Sequence, residues 1–359
     1  MRVGIVVQRG RGAGSVASPF GLALGLERSG VRVRFVCEPD SPVEQMARDA
    51  GLEVHTVLLE RKQMRANARR LAAFFDEHPV DLVNCQTRRD RSALTYAALR
   101  YPSLPPLVVT WRGISFTFPV KNWAQSMLAR RVIAVSPAVA ESLVRRGTPP
   151  GRLVVVPNGL VLERVDRPVS AAELEAWRER IGWTPAQRTV GIVSRPKEHH
   201  VVLAALAHVR TPVRLVFAGV DPASDLGRQA AAVGAPHTVV CVPFDQAVRP
   251  LYDLLEVSLL PTHAEGLSQT MLESMALGKP MLASNAGGIP DVIRDGVNGR
   301  LLPRHDAAAW ARALEDVLGD PAYAARLAEA GRRTAREEFS IERTVARTIA
   351  VYEDVLRER

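Results

Sequence analysis

Short runs of Val, Ile and Leu alternate with longer amphipathic or Ala-rich stretches along the whole 359-residue chain, and this rhythm constrains its fold more than any other feature. An apolar run without polar alternation suits a strand buried on both faces, and helices between such strands build a parallel sheet with crossovers. In the first half the pattern predicts strands at Arg2–Val7, Val31–Cys37, Glu53–Val57, Asp81–Asn84, Leu107–Thr110, Val132–Val135 and Leu153–Val156. After Pro157-Asn158-Gly159 and a polar helix ending near Ile181 the rhythm restarts. Strands are then expected at Thr189–Val193, Val213–Ala218, Val239–Val242, Val257–Leu260 and Met281–Ala283. The expectation is an α/β chain of two Rossmann-like doubly wound domains, divided near Arg164 and facing each other across a cleft. Functional residues should lie in strand-to-helix loops.

Composition excludes several alternatives. With 47% hydrophobic and 24% charged residues the chain can bury large cores, which argues against disorder. Cys37, Cys85 and Cys241 are far apart in apolar surroundings, so they read as core residues of a reducing compartment rather than as disulfides or zinc ligands. The apolar run after Met1-Arg2 is too short for a leader, and no run approaches the ~18 residues of a membrane span. A cytoplasmic protein is expected. Residues 1–164 carry 24 Lys+Arg against 13 Asp+Glu, net +11, whereas residues 165–359 carry 23 against 25. The positive half would attract a phosphorylated ligand, anionic lipid or nucleic acid. At 5%, aromatics are too few for nucleic-acid stacking platforms, so no nucleic-acid partner is expected.

The most specific segment follows the strand Val257–Leu260: Pro261-Thr262-His263-Ala264-Glu265-Gly266-Leu267-Ser268-Gln269-Thr270-Met271-Leu272-Glu273. Glu265 falls in the loop before a helix, and the amides from Gly266 to Gln269 lie near its first turn. Free amides at a helix start favour an anion, and two carboxylates nearby suit sugar hydroxyls. The spacing alone is also met on solvated helix faces. Next come Asn285-Ala286-Gly287-Gly288-Ile289-Pro290, with Pro290 opening an expected helix, and then Asp295-Gly296-Val297-Asn298-Gly299. A second segment, Ser194-Arg195-Pro196-Lys197-Glu198-His199-His200, enters an apolar helix at Val201–Ala207. Arg195 and Lys197 there could neutralise a diphosphate. A glycine loop, Arg9-Gly10-Arg11-Gly12-Ala13-Gly14-Ser15, follows the first strand.

The stretch Glu265–Pro303 resembles the donor-binding signature of the family 4 retaining glycosyltransferases of GT-B fold. Val132–Ser136 with Val154–Gly159 resembles that family's approach to its interdomain hinge. The resemblance implies an acceptor domain at 1–164, a nucleotide-sugar donor domain at 165–338, and a terminal helix at 339–359 packed back on the first domain. It implies that Glu273 holds the ribose, that Glu265 contacts the transferred sugar, and that Gly266, Leu267 and Ser268 sit by sugar and diphosphate. Arg195 and Lys197 would balance the leaving diphosphate, making Glu265, Arg195 and Lys197 the catalytic set. Gly14 would face the donor phosphates. The spacing of Arg195 and Lys197 is shorter than the family's usual gap.

No cofactor and no metal are expected: Asp221 and Asp225 lack D-x-D spacing, and no His cluster has ligand spacing. No general base is assigned. Relatives carry a histidine where this chain has Trp111-Arg112-Gly113-Ile114-Ser115, and in a retaining transferase the leaving diphosphate takes the acceptor proton. Arg88, Arg89 and Arg112 are the acceptor-site candidates. Arg61, Lys62, Arg65, Arg69 and Arg70 form a basic helix that suits either solvent or an anionic membrane. The reading is a hexosyltransferase using a UDP-sugar, or second GDP-mannose, on a glycan or glycolipid acceptor of the bacterial envelope or lipopolysaccharide type. It would work in the cytoplasm or at the inner face of the membrane. Rival readings are a nucleotide-sugar epimerase or hydrolase on the same scaffold, a non-catalytic sugar- or lipid-binding protein, and a nicotinamide-dependent dehydrogenase with Glu38 on the ribose.

Overall fold

The computed structural model describes residues 1–8, 13–60, 62–114, 118–245 and 247–358. It divides into two compact units, Met1–Gly159 with Ser340–Arg359, and Leu160–Phe339. The first unit runs β1 (Arg2–Val7), α1 (Ala13–Arg28), β2 (Arg32–Cys37), α2 (Pro42–Asp49), β3 (Glu53–Thr56), α3 (Met64–Glu77), β4 (Leu82–Cys85). It continues with α4 (Arg88–Arg100), β5 (Leu107–Trp111), α5 (Pro119–Met127), β6 (Arg131–Ala134), α6 (Pro137–Val144) and β7 (Leu153–Val155). The second unit opens with α7 (Leu162–Val165), α8 (Ala171–Ile181), β8 (Arg188–Val193), α9 (His199–Leu206), β9 (Val213–Ala218), α10 (Asp225–Ala231) and β10 (Thr238–Val242). It is completed by α11 (Arg249–Leu254), β11 (Val257–Leu260), α12 (Gln269–Ala276), β12 (Met281–Ser284), β13 (Arg300–Leu302), α13 (Ala307–Gly319) and α14 (Pro321–Glu338). The final helix, α15 (Ile341–Arg357), belongs to the first unit.

Both sheets are parallel, with strand orders β3-β2-β1-β4-β5-β6-β7 and β10-β9-β8-β11-β12-β13. This is the GT-B arrangement of two doubly wound α/β units. The apolar runs explain it: Val3, Ile5, Val6 and Val7 of β1 and every residue of β9 are buried, as strands covered by helices on both faces must be. Each order reverses once, between β1 and β4 and between β8 and β11. Such switch points open a crevice at the carboxyl ends of the strands, where ligands bind in this class of sheet.

α15 is anchored within the first unit. Gly25 of α1 has no Cβ to collide with Val345, Asn84 Nδ2 donates to the Tyr352 hydroxyl at 2.6 Å, and Arg131 pairs with Asp354 at 2.6 Å and with Glu358. The sequence placed the first boundary at Arg164, whereas the packing divides the chain after Gly159. The short helix α7 joins the second unit because Val165 is buried there and accepts at its carbonyl from Arg249 Nε, 2.8 Å.

Three local expectations are corrected. Pro290 opens no helix: the chain makes turns over 289–294, and the Asn298 side chain captures the Arg294 amide at 2.7 Å. Arg300–Leu302 forms an additional edge strand, β13, paired with β12. Lys62 precedes α3 with a left-handed φ of 62°, so it is not on the basic helix, and Arg61 lies outside the described residues.

Candidate active site

The switch point of the second unit collects the chemistry-bearing loops. β8 leads into residues 194–198 and then α9; its neighbour β11 leads into 261–268 and then α12. Because the strands pair, their loops meet, and the Lys197 ammonium forms an ion pair with the Glu265 carboxylate. The two side chains keep 24% and 21% exposure, so the pair stands where a ligand can reach it. Glycines make these approaches possible. At Gly219, φ is +113° and a Cβ would lie 2.6 Å from the Ser194 carbonyl oxygen. At Gly287, φ is +55° and a Cβ would overlap the Glu265 carbonyl oxygen, to which Gly288 donates its amide at 2.9 Å. The Gly287-Gly288 turn therefore holds the backbone of Glu265.

Ser268 caps α12, its Oγ accepting from the Met271 amide at 3.3 Å. Among the described residues no acceptor takes the amides of Gly266, Leu267 and Ser268. Three donors at a helix start thus adjoin the Lys197–Glu265 pair, an arrangement that attracts anionic oxygen. Glu273 lies one turn into α12. Burial raises its carboxyl above its ordinary value, opposed by the positive charge of Arg164 and by the polarity of the nearby Tyr252 hydroxyl. Arg164 and Tyr252 come from α7 and α11, too far along the chain for spacing to reveal them.

Arg195 and Lys197 do not share one situation. Arg195 is exposed and, among the described residues, its guanidinium has no partner, whereas Lys197 is tied to Glu265. His199 is fully buried: its Nδ1 accepts from the Lys197 amide at 3.1 Å and its ring meets Phe217 edge-on at 4.9 Å. Burial, then the charges of Lys197 and His200, depress its pKa from 6.5 to about 4. The neutral ring positions the Lys197 backbone. Below pH 6.5 the unfolded chain takes up a proton that the folded chain refuses until about pH 4, so stability falls as pH drops through this window. His199→Asn, which keeps an acceptor near Nδ1, should abolish up to about 2 kcal/mol of the stability loss between about pH 7 and about pH 5. Urea denaturation at the two pH values checks this, and equal losses in both proteins would contradict it.

Residues 178–334 match the model described as Glycosyl transferases group 1, and residues 14–164 match Glycosyltransferase Family 4. The Bacillus subtilis (strain 168) protein named "Putative glycosyltransferase EpsD" is 30% identical over 308 residues, 79% of each chain. The chain belongs to the GT-B glycosyltransferases. A D-inositol 3-phosphate glycosyltransferase of Xylanimonas cellulosilytica is 33% identical over 249 residues, covering 64% of this chain and 60% of that one. In fold, the Anabaena HepE protein solved with UDP and glucose superposes with a TM-score of 0.85 at 20% identity, over 99% of this chain and 100% of its own.

In the first unit of this glycosyltransferase the expected acceptor residues separate. Arg88, Arg89 and Arg91 lie in the first turn of α4 rather than in a loop, because Thr87 and Asp90 form a capping box there. Arg88 is exposed, but Arg89 donates to the Leu59 carbonyl at 2.8 Å and faces Glu38 at 3.6 Å. Arg91 is buried over the Trp111 ring, 3.5 Å from its centroid. Arg112 lies at the carboxyl end of β5, donating to Asn158 Oδ1 and, at 2.5 Å, to Gln86 Oε1. Its Nε has no partner, no carboxylate pairs with it among the described residues, and burial lowers its pKa to about 10. Of the glycine loop, residues 9–12 lie outside the described residues, and Gly14 falls in the first turn of α1.

Proposed function

We propose that this glycosyltransferase moves a hexosyl unit from a nucleotide-diphosphate sugar to a hydroxyl of a glycan or glycolipid, with retention of anomeric configuration and without a metal. The observation carrying the reading is the Lys197–Glu265 pair at the switch point beside three unengaged helix-start amides. In the reaction the bond from the anomeric carbon to the diphosphate oxygen breaks, and the acceptor oxygen bonds to the same face. The acceptor proton passes to the departing diphosphate, so no protein base is needed. Lys197, Arg195 and the amides of Gly266, Leu267 and Ser268 stabilise the charge growing on that leaving group. Glu265 holds the sugar, and Glu273, one turn into α12, holds the ribose.

The UDP and glucose of the Anabaena protein favour a UDP-sugar as donor, with GDP-mannose second. The phosphorylated acceptor named for the Xylanimonas relative, together with the counter-ion-free guanidinium of Arg112, favours an anionic acceptor on the first unit. The test is thermal unfolding with UDP, GDP, ADP and their sugar conjugates, since a ligand selective for the folded state raises the transition. Glu273→Ala should weaken donor binding about tenfold or more, the loss expected of a hydrogen bond to a charged group. A nucleotide-induced shift of equal size in Glu273→Ala would refute its role. Product analysis with and without acceptor separates transfer from hydrolysis.

A further inference from the structure

Helix α5 is turned inside out. Its buried residues are the polar Asn122, Gln125 and Ser126, while Val120, Trp123 and Met127 are 77%, 50% and 40% exposed. These three follow i, i+3, i+7 spacing and so share one face. Phe118, at the N-cap, is 82% exposed. The orientation is fixed from within. Asn122 Nδ2 donates to Thr148 Oγ1 at 2.6 Å, Ser126 Oγ meets the same hydroxyl at 2.8 Å, and Gln125 Nε2 donates to Ser92 Oγ at 3.4 Å. Rolling the helix to hide its apolar stripe would strand these groups, so the stripe stays outward.

The exposed charge beside the stripe is cationic. From residue 91 to residue 140 the sequence contains six Lys or Arg and no Asp or Glu; Arg91 and Arg112 are turned inward and Arg131 is paired with Asp354 and Glu358 of α15. Lys121 on the helix and Arg130 just beyond it are exposed. The next acid, Glu141, is matched by Arg145 one turn later. Exposed Val144 ends α6, whose Leu143 carbonyl accepts from Asn122 at 3.5 Å.

We propose that α5 docks this enzyme on an anionic phospholipid bilayer, with Phe118, Val120, Trp123 and Met127 entering the interface and Lys121 and Arg130 meeting the headgroups. An apolar stripe with an aromatic residue and flanking cations is what an interfacial helix requires. No helix of the described chain is long and apolar enough to cross a membrane, so α5 lies in the plane of the surface. A second copy of the chain is a poorer occupant, because it would bring the same cations against these. The basic helix α3 is a poorer docking face: Arg70 is spent on Glu60 and the Leu58 carbonyl, and Asp76 and Glu77 close the helix. The proposal is independent of the donor-site assignment.

Trp123 is the one exposed tryptophan of the chain's five, which gives a test needing no variant. Full-length protein should float with vesicles of phosphatidylcholine containing about one-third phosphatidylglycerol, and not with phosphatidylcholine alone. Brominated acyl chains in those vesicles should quench its fluorescence, and Trp123→Phe should abolish the quenching while leaving flotation. Val120→Ser with Trp123→Ser, and separately Lys121→Glu with Arg130→Glu, should weaken binding about tenfold or more, whereas Arg65→Glu with Arg69→Glu should not. Absence of quenching would overturn the proposal. So would a lipid-free dimer in which Trp123 is shielded from aqueous quencher.

Discussion

Lys197→Met should lower kcat by about a hundredfold to a thousandfold while leaving the thermal transition nearly unchanged, the cost typical of losing one charge-stabilising donor from a preorganised site. The argument is geometric. Lys197 and Glu265 stand on the loops of adjacent strands at the switch point, and each is the other's described ionic partner. Removing the lysine leaves a carboxylate beside the proposed position of the diphosphate, so the variant is expected to lose an attraction and gain a repulsion. Glu265→Gln frees the lysine and, on the proposed role, loses a contact to the sugar. The double variant should therefore cost less than the product of the two single effects, as contacting residues do. Steady-state rates with a UDP-sugar for the four proteins decide the matter. A kcat within about threefold of the parent in Lys197→Met would end its role in leaving-group stabilisation.

What the sequence disclosed of this site follows from the range of each signal. Glu265, Glu273 and Gly287 were legible because their order along the loop and helix after β11 and the turn after β12 is itself the signal. Arg164, Tyr252 and His199 were not, since their parts depend on packing across elements: Arg164 and Tyr252 reach Glu273 from α7 and α11, and His199 matters through a backbone amide two residues away. Local preference misled at Pro290, where proline suits a helix start but the Asn298 side chain, buried with bonds to Val292 and Thr334, imposes a turn instead. Periodicity also misleads at α5. Its stripe of Val120, Trp123 and Met127 would ordinarily face a core, and only Ser92 and Thr148, from α4 and the loop after α6, show why the polar side is the buried one. The strand rhythm succeeded because apolar runs covered on both faces have few other ways to be satisfied; β13 escaped it by being three residues long at an edge.

Gly287→Ala should damage both the stability and the activity of this enzyme. Two costs combine. A left-handed backbone at φ +55° disfavours alanine by about 1–2 kcal/mol, and the new Cβ would also overlap the Glu265 carbonyl and lie 2.8 Å from its amide nitrogen. These are backbone atoms, so relief requires moving the loop that presents Glu265, and with it the partner of Lys197. A total destabilisation of roughly 2–4 kcal/mol is expected, with kcat falling about tenfold or more even where the protein remains folded. Gly296 provides the control. Its φ of +72° carries the same backbone strain, but a Cβ there meets nothing within 4 Å. Gly296→Ala should therefore lose about 1 kcal/mol and keep its activity. Denaturant titration and kinetics on both variants separate strain from displacement. Equal behaviour of the two would show that Gly287 serves the backbone alone, and that Glu265 does not depend on the Gly287-Gly288 turn for its position.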